Sequence, residues 1–535
     1  MKTKINKLTA LIGGLAAANF AVAASPFMNP ANCNVAFMQG SVSGDTHIVE
    51  AAIQAAPVEH CRVIGAIITD NPGPNQVNFK VSLPTDHNDR FYFQGLGGTA
   101  GALPDADPRL LTRGYAVGVT DTGNQTAAPG SPAGLDWRFM INEDQALDHD
   151  RRAGHLSTVA GQELSHAYYG PGKLWRYHSG CSGGGRMGIS AAVEFPDDYD
   201  GIVLGAPGRT LGNVLHFGKV AQYVQNNIDL ATNPAPLINM IIAGGAIEQQ
   251  WDGADGAIDG LIWDPSVVNV PPAQLDFLLS LGGPISPEWR TVIDMVAAGY
   301  DLRHLGGKVN IGPYYTSSIT EWPLWTPQEL APGFFFFFPN QVFGTMSQGA
   351  FGPAYNYVTD WDFSSPVDEL NLISAWSDLN FSKQNPGSDF AAFRDNGGKL
   401  LIWHGVHDAA IAYTSSVDMY ESMIADAKVK GNNVTYDKQL HKTQKWSRMF
   451  PVPGIGHCQN GVAGDGPDDT DLAALEALAT WVEEDEAPEA VVATHAGSGR
   501  TFNLCPYPGR SVFDGGLANP NNLDVNDASN WHCEP

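Results

Sequence analysis

Charge is scarce in this chain. Asp, Glu, Lys and Arg together make up only 16% of it, and 57 acidic residues outnumber 30 basic ones. The formal net charge of −27 repels phosphate backbones and anionic lipid, which argues against nucleic-acid and membrane partners. Long apolar runs are missing beyond the N-terminus, so no later segment reaches the roughly 20 residues that a bilayer span needs. No internal repeat is visible. Cysteine is limited to six positions, Cys33, Cys61, Cys181, Cys458, Cys505 and Cys533. An even count in an exported chain suggests three disulfides, but spacing does not choose among the 15 pairings that six cysteines allow. Turn formers are plentiful, with 59 Gly and 36 Pro. That composition suits long ordered loops and excludes a helical bundle or a disordered chain.

Residues 1–24 read as a signal peptide. Lys2, Lys4 and Lys7 precede an apolar run over 8–21, and Ala21 and Ala23 supply the small residues of a cleavage site. A secreted or periplasmic location is therefore expected. Gly13, Gly14 and Asn19 interrupt the run and weaken a membrane-anchor reading.

From there short apolar runs alternate with turns. Segments 62–69 (RVIGAIIT), 90–94 (RFYFQ), 115–120 (YAVGVT), 173–178 (KLWRYH) and 202–204 read as strands, and 183–195 reads as a helix. This rhythm stops near Arg209 and resumes at 398–403 (GKLLIW), followed by a helix over 471–483. Strands alternating with helices predict an α/β fold with a mainly parallel sheet. The expected division is an α/β core over 25–208 and 391–535, interrupted by an inserted lid over 209–390.

Gly180-Cys181-Ser182-Gly183-Gly184 fits G-x-S-x-G, and it stands between an expected strand and an expected helix, the context a nucleophile elbow requires. Small neighbours let the serine sit on a strained turn. Its Oγ then projects above the sheet, and the Gly183 N–H lies where an oxyanion forms. A serine hydroxyl needs a base, and the base needs a third group to hold its tautomer. In hydrolases of this type the order is Ser, acid, His. Asp408 follows the strand ending in Trp403, and His457 sits on the turn Pro453-Gly454-Ile455-Gly456, in that order. His404 and His407 are competing histidines too close in sequence to Asp408 to act as its partner base. Asp121 reads as a structural turn carboxylate.

The chain resembles the tannase/feruloyl esterase family. The dipeptides Cys181-Ser182 and His457-Cys458 carry much of the likeness, with Phe195-Pro196-Asp197-Asp198-Tyr199-Asp200-Gly201-Ile202, Gly205-Ala206-Pro207, Asp121-Thr122-Gly123 and Cys505-Pro506-Tyr507-Pro508. The resemblance implies an α/β-hydrolase core and a disulfide between Cys181 and Cys458 that holds nucleophile and base adjacent. Proximity then suggests Cys33 with Cys61 and Cys505 with Cys533. By position in the family the second oxyanion donor comes from Gly95-Leu96-Gly97-Gly98, with Gly98 favoured and Gly97 still open.

Trp251-Asp252-Gly253-Ala254-Asp255-Gly256-Ala257-Ile258-Asp259-Gly260-Leu261 interleaves three carboxylates with glycines and can wrap a hard cation. It resembles the family's structural calcium site, which implies carboxylates from Asp252, Asp255 and Asp259 and carbonyls from Ala257 and Leu261. No cofactor is expected in the chemistry. Aromatics crowd the insertion at Tyr314, Tyr315, Trp322, Trp325, 334–338, Phe343, Phe351, Tyr355 and Trp361, and either stack on a planar acyl group or pack the lid's own core.

Ser182, Asp408 and His457, with the family resemblance, predict a secreted serine esterase for aromatic carboxylic esters of the feruloyl, hydroxycinnamoyl or galloyl type. The substrate is a small ester, free or attached to plant polysaccharide or polyphenol. Two other readings stand beside it. One is an esterase for aromatic monoesters such as mono(hydroxyethyl) terephthalate. The other is a non-catalytic, calcium-dependent binding protein on a hydrolase scaffold.

Overall fold

The computed structural model describes residues 28–125, 137–208, 211–301, 310–311, 319, 340–376, 389–429, 434–458 and 465–535. The expected leader at 1–24 and the aromatics at Tyr314, Tyr315, Trp322, Trp325 and 334–338 lie outside the described residues.

Nine strands form one sheet: β1 (Thr46–Gln54), β2 (His60–Thr69), β3 (Asn75–Pro84), β4 (Arg90–Gln94), β5 (Ala116–Thr120), β6 (Trp175–Cys181), β7 (Gly201–Gly205), β8 (Lys399–Gly405) and β9 (Ser447–Val452). Their spatial order is β1-β2-β3-β5-β4-β6-β7-β8-β9. The first four in space pair antiparallel, and every pairing from β5–β4 onward is parallel.

The central strands β7 and β8 are buried on both faces, so 201–205 and 400–403 are continuously apolar rather than alternating. Alternate residues nonetheless serve different cores. Ile202, Leu204, Leu400 and Ile402 pack with Leu164, Tyr168, Met187 and Tyr420 from the helices Ala153–Tyr169, Gly183–Glu194 and Tyr413–Ala425. Val203, Leu401 and Trp403 face the other way, toward Leu475, Leu478 and Trp481 of the helix Thr470–Glu484.

Between β7 and β8 the chain leaves the sheet. The helices Leu211–Asn227, Leu237–Trp251, Pro272–Ser280, Pro287–Ala298, Thr345–Phe351 and Pro366–Ala375 fall in this excursion. They gather around a second cluster, which includes Met240, Ile247, Trp289, Phe343 and Trp361 and also takes in Phe139, Met140 and Ala409 from outside the excursion. Phe343 and Trp361 meet edge to face at 4.8 Å between centroids and are almost fully buried. These two aromatics therefore pack the insertion itself.

The register matters most for function. Cys181 pairs with Gly205, Gly205 with Trp403, and Gly405 with Val452. The carboxyl ends of β6, β7, β8 and β9 thus finish together along one edge of the sheet. In open α/β sheets that edge is where ligands bind.

Candidate active site

Ser182 follows β6 directly and precedes the helix Gly183–Glu194. Its backbone is at φ 62°, ψ −119°, far from the regions that side-chain-bearing residues favour. The turn is over-determined. Ser182 N–H donates to Gly205 C=O at 2.9 Å, and Ser182 C=O accepts from Arg186 N–H at 3.0 Å and from Gly208 N–H at 3.1 Å. The glycines fit because nothing larger would. A Cβ on Gly180 would stand 2.8 Å from backbone atoms of both Gly184 and Gly95, and one on Gly183 would collide with the Gly98 carbonyl oxygen.

The glycine loop after β4 lies against this elbow. Gly95 N–H donates to Ser179 C=O at 2.8 Å. Gly98 has φ 59°, and its nitrogen is 3.1 Å from where a Gly183 Cβ would be. Gly97 is also close, since a Cβ there would be 4.0 Å from the Ser182 Cβ. Both glycines expected as oxyanion candidates therefore border the nucleophile.

Asp408 stands three residues past β8 and is 2% exposed. Its Oδ1 accepts from the backbone N–H groups of Ala410 (2.8 Å) and Ile411 (2.9 Å). Its Oδ2 accepts from His457 Nδ1 at 2.7 Å and from His404 Nε2 at 3.1 Å. Burial alone would raise this carboxyl. The charge on His457 and the hydrogen bonds from His404 and His457 outweigh it and hold the group well below the usual carboxylate range. These partners favour the ionised form of Asp408.

His457 lies five residues past β9 and is partly exposed. Its neighbour Cys458, at φ 68°, is bonded to Cys181 across 277 positions of chain, with Cα atoms 5.7 Å apart. Nucleophile and histidine are the residues adjacent to the two bonded cysteines. With Nδ1–H given to Asp408, the imidazole keeps Nε2 as its basic atom. A serine on an elbow, a histidine with its tautomer held and a buried carboxylate are the parts of a general-base-activated nucleophile. The other disulfides are Cys33–Cys61 and Cys505–Cys533.

Sequence reasoning set His404 aside as a competitor. It has a supporting place instead. Its Nδ1 accepts from Ser416 Oγ at 2.7 Å, which leaves Nε2–H to share between Ile411 C=O (2.9 Å) and Asp408. The signal was the i, i+4 spacing of His404 and Asp408 around a strand end. Asp121 accepts from the N–H groups of Asn78 and Gly123, as a turn carboxylate would.

The acidic loop of the insertion folds on itself. Asp252 Oδ1 accepts from the N–H groups of Asp259 and Gly260, Asp255 Oδ2 from Trp263 N–H, and Asp259 Oδ1 from Leu261 N–H. Asp259 Oδ2 also takes Trp263 Nε1–H at 2.8 Å and the Arg500 guanidinium. Among the described residues no three acidic, His or Cys side chains stand close enough together to hold a metal. Asp255 Oδ1, however, is buried without a hydrogen-bond partner, and burial pushes that carboxyl up to about 7. A buried carboxyl oxygen with no hydrogen-bond partner is the feature of this loop that fits a cation.

Most of the chain has clear relatives. The family model described as tannase and feruloyl esterase matches residues 61–280 and 297–533. A mono(2-hydroxyethyl) terephthalate hydrolase of Piscinibacter sakaiensis is 27% identical over 555 residues, covering 90% of this chain and 86% of that protein. A probable feruloyl esterase B-2 of Aspergillus terreus is 27% identical over 512 residues, covering 90% and 88%. The crystal structure of feruloyl esterase B from Aspergillus oryzae superposes with a TM-score of 0.74 at 22% identity, covering 94% of this chain and all of that one. Tannin acyl hydrolase from Aspergillus niger gives 0.69 at 18% identity, covering 96% of each chain. A sheet with this strand order, the serine elbow on β6 and a family match spanning most of its length place this chain in the tannase and feruloyl esterase family.

Proposed function

We propose that this protein hydrolyses aromatic carboxylic esters through an acyl-Ser182 intermediate. The observation that carries the reading is the Asp408–His457 hydrogen bond of 2.7 Å, held beside the Ser182 elbow by the Cys181–Cys458 bond. His457 Nε2 takes the Ser182 proton as Oγ attacks the ester carbonyl. The N–H groups of Gly183 and of Gly98 in the glycine loop stabilise the oxyanion. His457 then protonates the departing alcohol, and a water activated by the same nitrogen cleaves the acyl-enzyme. Asp408 stays ionised throughout and stabilises the imidazolium.

The aromatic acyl group rests on the relatives, whose names join feruloyl and terephthalate esters, both with a planar aromatic group conjugated to the scissile carbonyl, directly in one and through a C=C bond in the other. The insertion over 209–390 would cover the site as a lid. Asp252, Asp255, Asp259 and the carbonyls of Ala257 and Leu261 would hold a structural Ca²⁺ within it. That ion would lend charge compensation and stiffness to the loop and no step of the chemistry. Three disulfides support an oxidising, extracytoplasmic location, and no described helix is long and apolar enough to cross a membrane.

The test is turnover of methyl ferulate, methyl gallate and mono(2-hydroxyethyl) terephthalate, with mass spectrometry of the trapped acyl-enzyme. An aroyl or cinnamoyl adduct on Ser182 that Ser182→Ala abolishes is expected. Turnover of none of these esters, or an adduct on another residue, defeats the proposal.

A further inference from the structure

We infer that His149 is a positioning residue of this site, locking the glycine loop to the nucleophile helix through the relay Arg186–His149–Thr122–Thr99. The inference rests on the proposed esterase reading and deepens it.

His149 lies in a single π-helical turn, Asp148–Arg152, between the helices Glu143–Leu147 and Ala153–Tyr169. Such turns displace a side chain from the regular helix face and are frequent at functional sites. The side chain is buried, as are Arg186 and Thr122.

The direction of each hydrogen bond follows from the first donor. A guanidinium only donates. Arg186 Nη2 is 2.8 Å from His149 Nε2, so that nitrogen is the acceptor and the ring proton is on Nδ1. Nδ1–H then donates to Thr122 Oγ1 at 3.1 Å, and Thr122 spends its own hydrogen on Thr99 C=O at 3.2 Å. Asn124 Nδ2 reinforces the last link, donating to Thr122 Oγ1 at 2.9 Å and to Thr99 C=O at 2.5 Å. Burial and the neighbouring Arg186 charge hold His149 well below its usual range, so the ring stays neutral and the polarity of the relay does not reverse.

The two ends of the relay are the two halves of the oxyanion site. Arg186 is one turn along the helix from Ser182 and donates its N–H to Ser182 C=O at 3.0 Å. Thr99 immediately follows Gly98, whose carbonyl oxygen blocks the space beside Gly183. The loop is pinned again next to Thr99, where Gly101 N–H donates to Asp121 C=O at 3.0 Å. Oxyanion donors are effective only when they are already in place as charge develops. A histidine that spans helix and loop sets their spacing without touching substrate.

The experiment compares His149→Phe with His149→Gln, using steady-state and single-turnover kinetics on a 4-nitrophenyl ester and on methyl ferulate. Phe keeps the ring and removes both bonds, whereas a Gln amide can accept from Arg186 and donate to Thr122. His149→Phe should lower kcat by about 10- to 100-fold with KM within about twofold. His149→Gln should recover kcat to within about threefold at a similar melting temperature. Unchanged kcat in folded His149→Phe, or an equal loss in both variants, overturns the inference. Should His149→Phe fail to fold, Thr122→Ala against Thr122→Ser reads the same relay. Ala should lose kcat and Ser keep it, and equal behaviour of the two overturns the inference. A wild-type protein inactive on every ester sinks the proposed function and this inference with it. A fully active wild type with indifferent variants sinks the relay alone.

Discussion

Cys181 and Cys458, 277 positions apart, are covalently joined with Cα atoms 5.7 Å apart at one edge of the sheet. Ser182 is the residue after the first and His457 the residue before the second. The bond bridges the end of β6 to the turn after β9, strands separated in the sheet by β7 and β8. It therefore spans the width of the site rather than stapling neighbours.

Removing that bond in a Cys181→Ala/Cys458→Ala protein should cost about 3–5 kcal/mol of stability, the loop-closure entropy of a long loop. Misplacement of His457 should lower kcat by more than about tenfold. Urea denaturation and ester kinetics, with thiol quantitation of the parent, check both. Wild-type kcat in the double variant would show that packing alone holds the two residues together.

Asp408→Asn should lower kcat by about 10⁴-fold, because an amide can present N–H to His457 and favour the wrong tautomer. The fold should survive, since the amide oxygen can still accept from Ala410 and Ile411 N–H. Circular dichroism of the variant beside its kcat at pH 7.5 separates the two effects.

His404→Phe should lower kcat by about 10-fold without raising KM. It takes one donor from Asp408 Oδ2 and frees the carboxylate to turn from His457. A matching rise in KM would assign His404 to substrate binding instead.

Burial presses His87, His178, His216 and His407 down to about 4 in the folded protein. In the unfolded chain they titrate near the ordinary value of about 6.5. Between those values the unfolded state binds more protons, so stability falls as pH falls from about 6.5 to about 4. Each histidine adds up to about 1.4 kcal/mol per pH unit. Urea midpoints from pH 7.5 to 4.5 measure the slope. His149 is held down in the same way, so His87→Phe, which keeps the stack on Tyr169, should flatten the slope by about a fifth.

Chelation should lower the melting temperature, and added Ca²⁺ should restore it, if the acidic loop binds the ion in the native state only. Asp255→Asn should remove the response. No shift and no metal in elemental analysis would assign the loop to Arg500 and its own backbone.

Much of the core was legible because its strands are short, apolar and bounded by turn formers. The strand read at 90–94 is β4 (Arg90–Gln94), and the helix read at 183–195 ends one residue earlier. β1 and β3 went unread. β1 is mixed in burial and β3 interleaves polar residues and ends in Pro84, so neither stands out as a core strand, although each pairs antiparallel with its sequence neighbour β2. β9, at the far edge, carries Pro451 and was also missed. Adjacency in sequence argued against His404 as the base but left no view of it as a brace for Asp408.

Short-range chemistry is written along the chain. Small residues around Ser182 permit one strained turn, a strand end presents Asp408, and two glycines precede His457, because turn preferences are local and few residues satisfy them. The meeting of those three turns is a property of the folded sheet. Register aligns four strand ends, the packing of two faces holds that register, and the helix Gly183–Glu194 comes to rest against a glycine loop that begins some 90 residues earlier in the chain. Contacts that distant depend on the summed burial of both cores, to which no single segment contributes enough to be read alone.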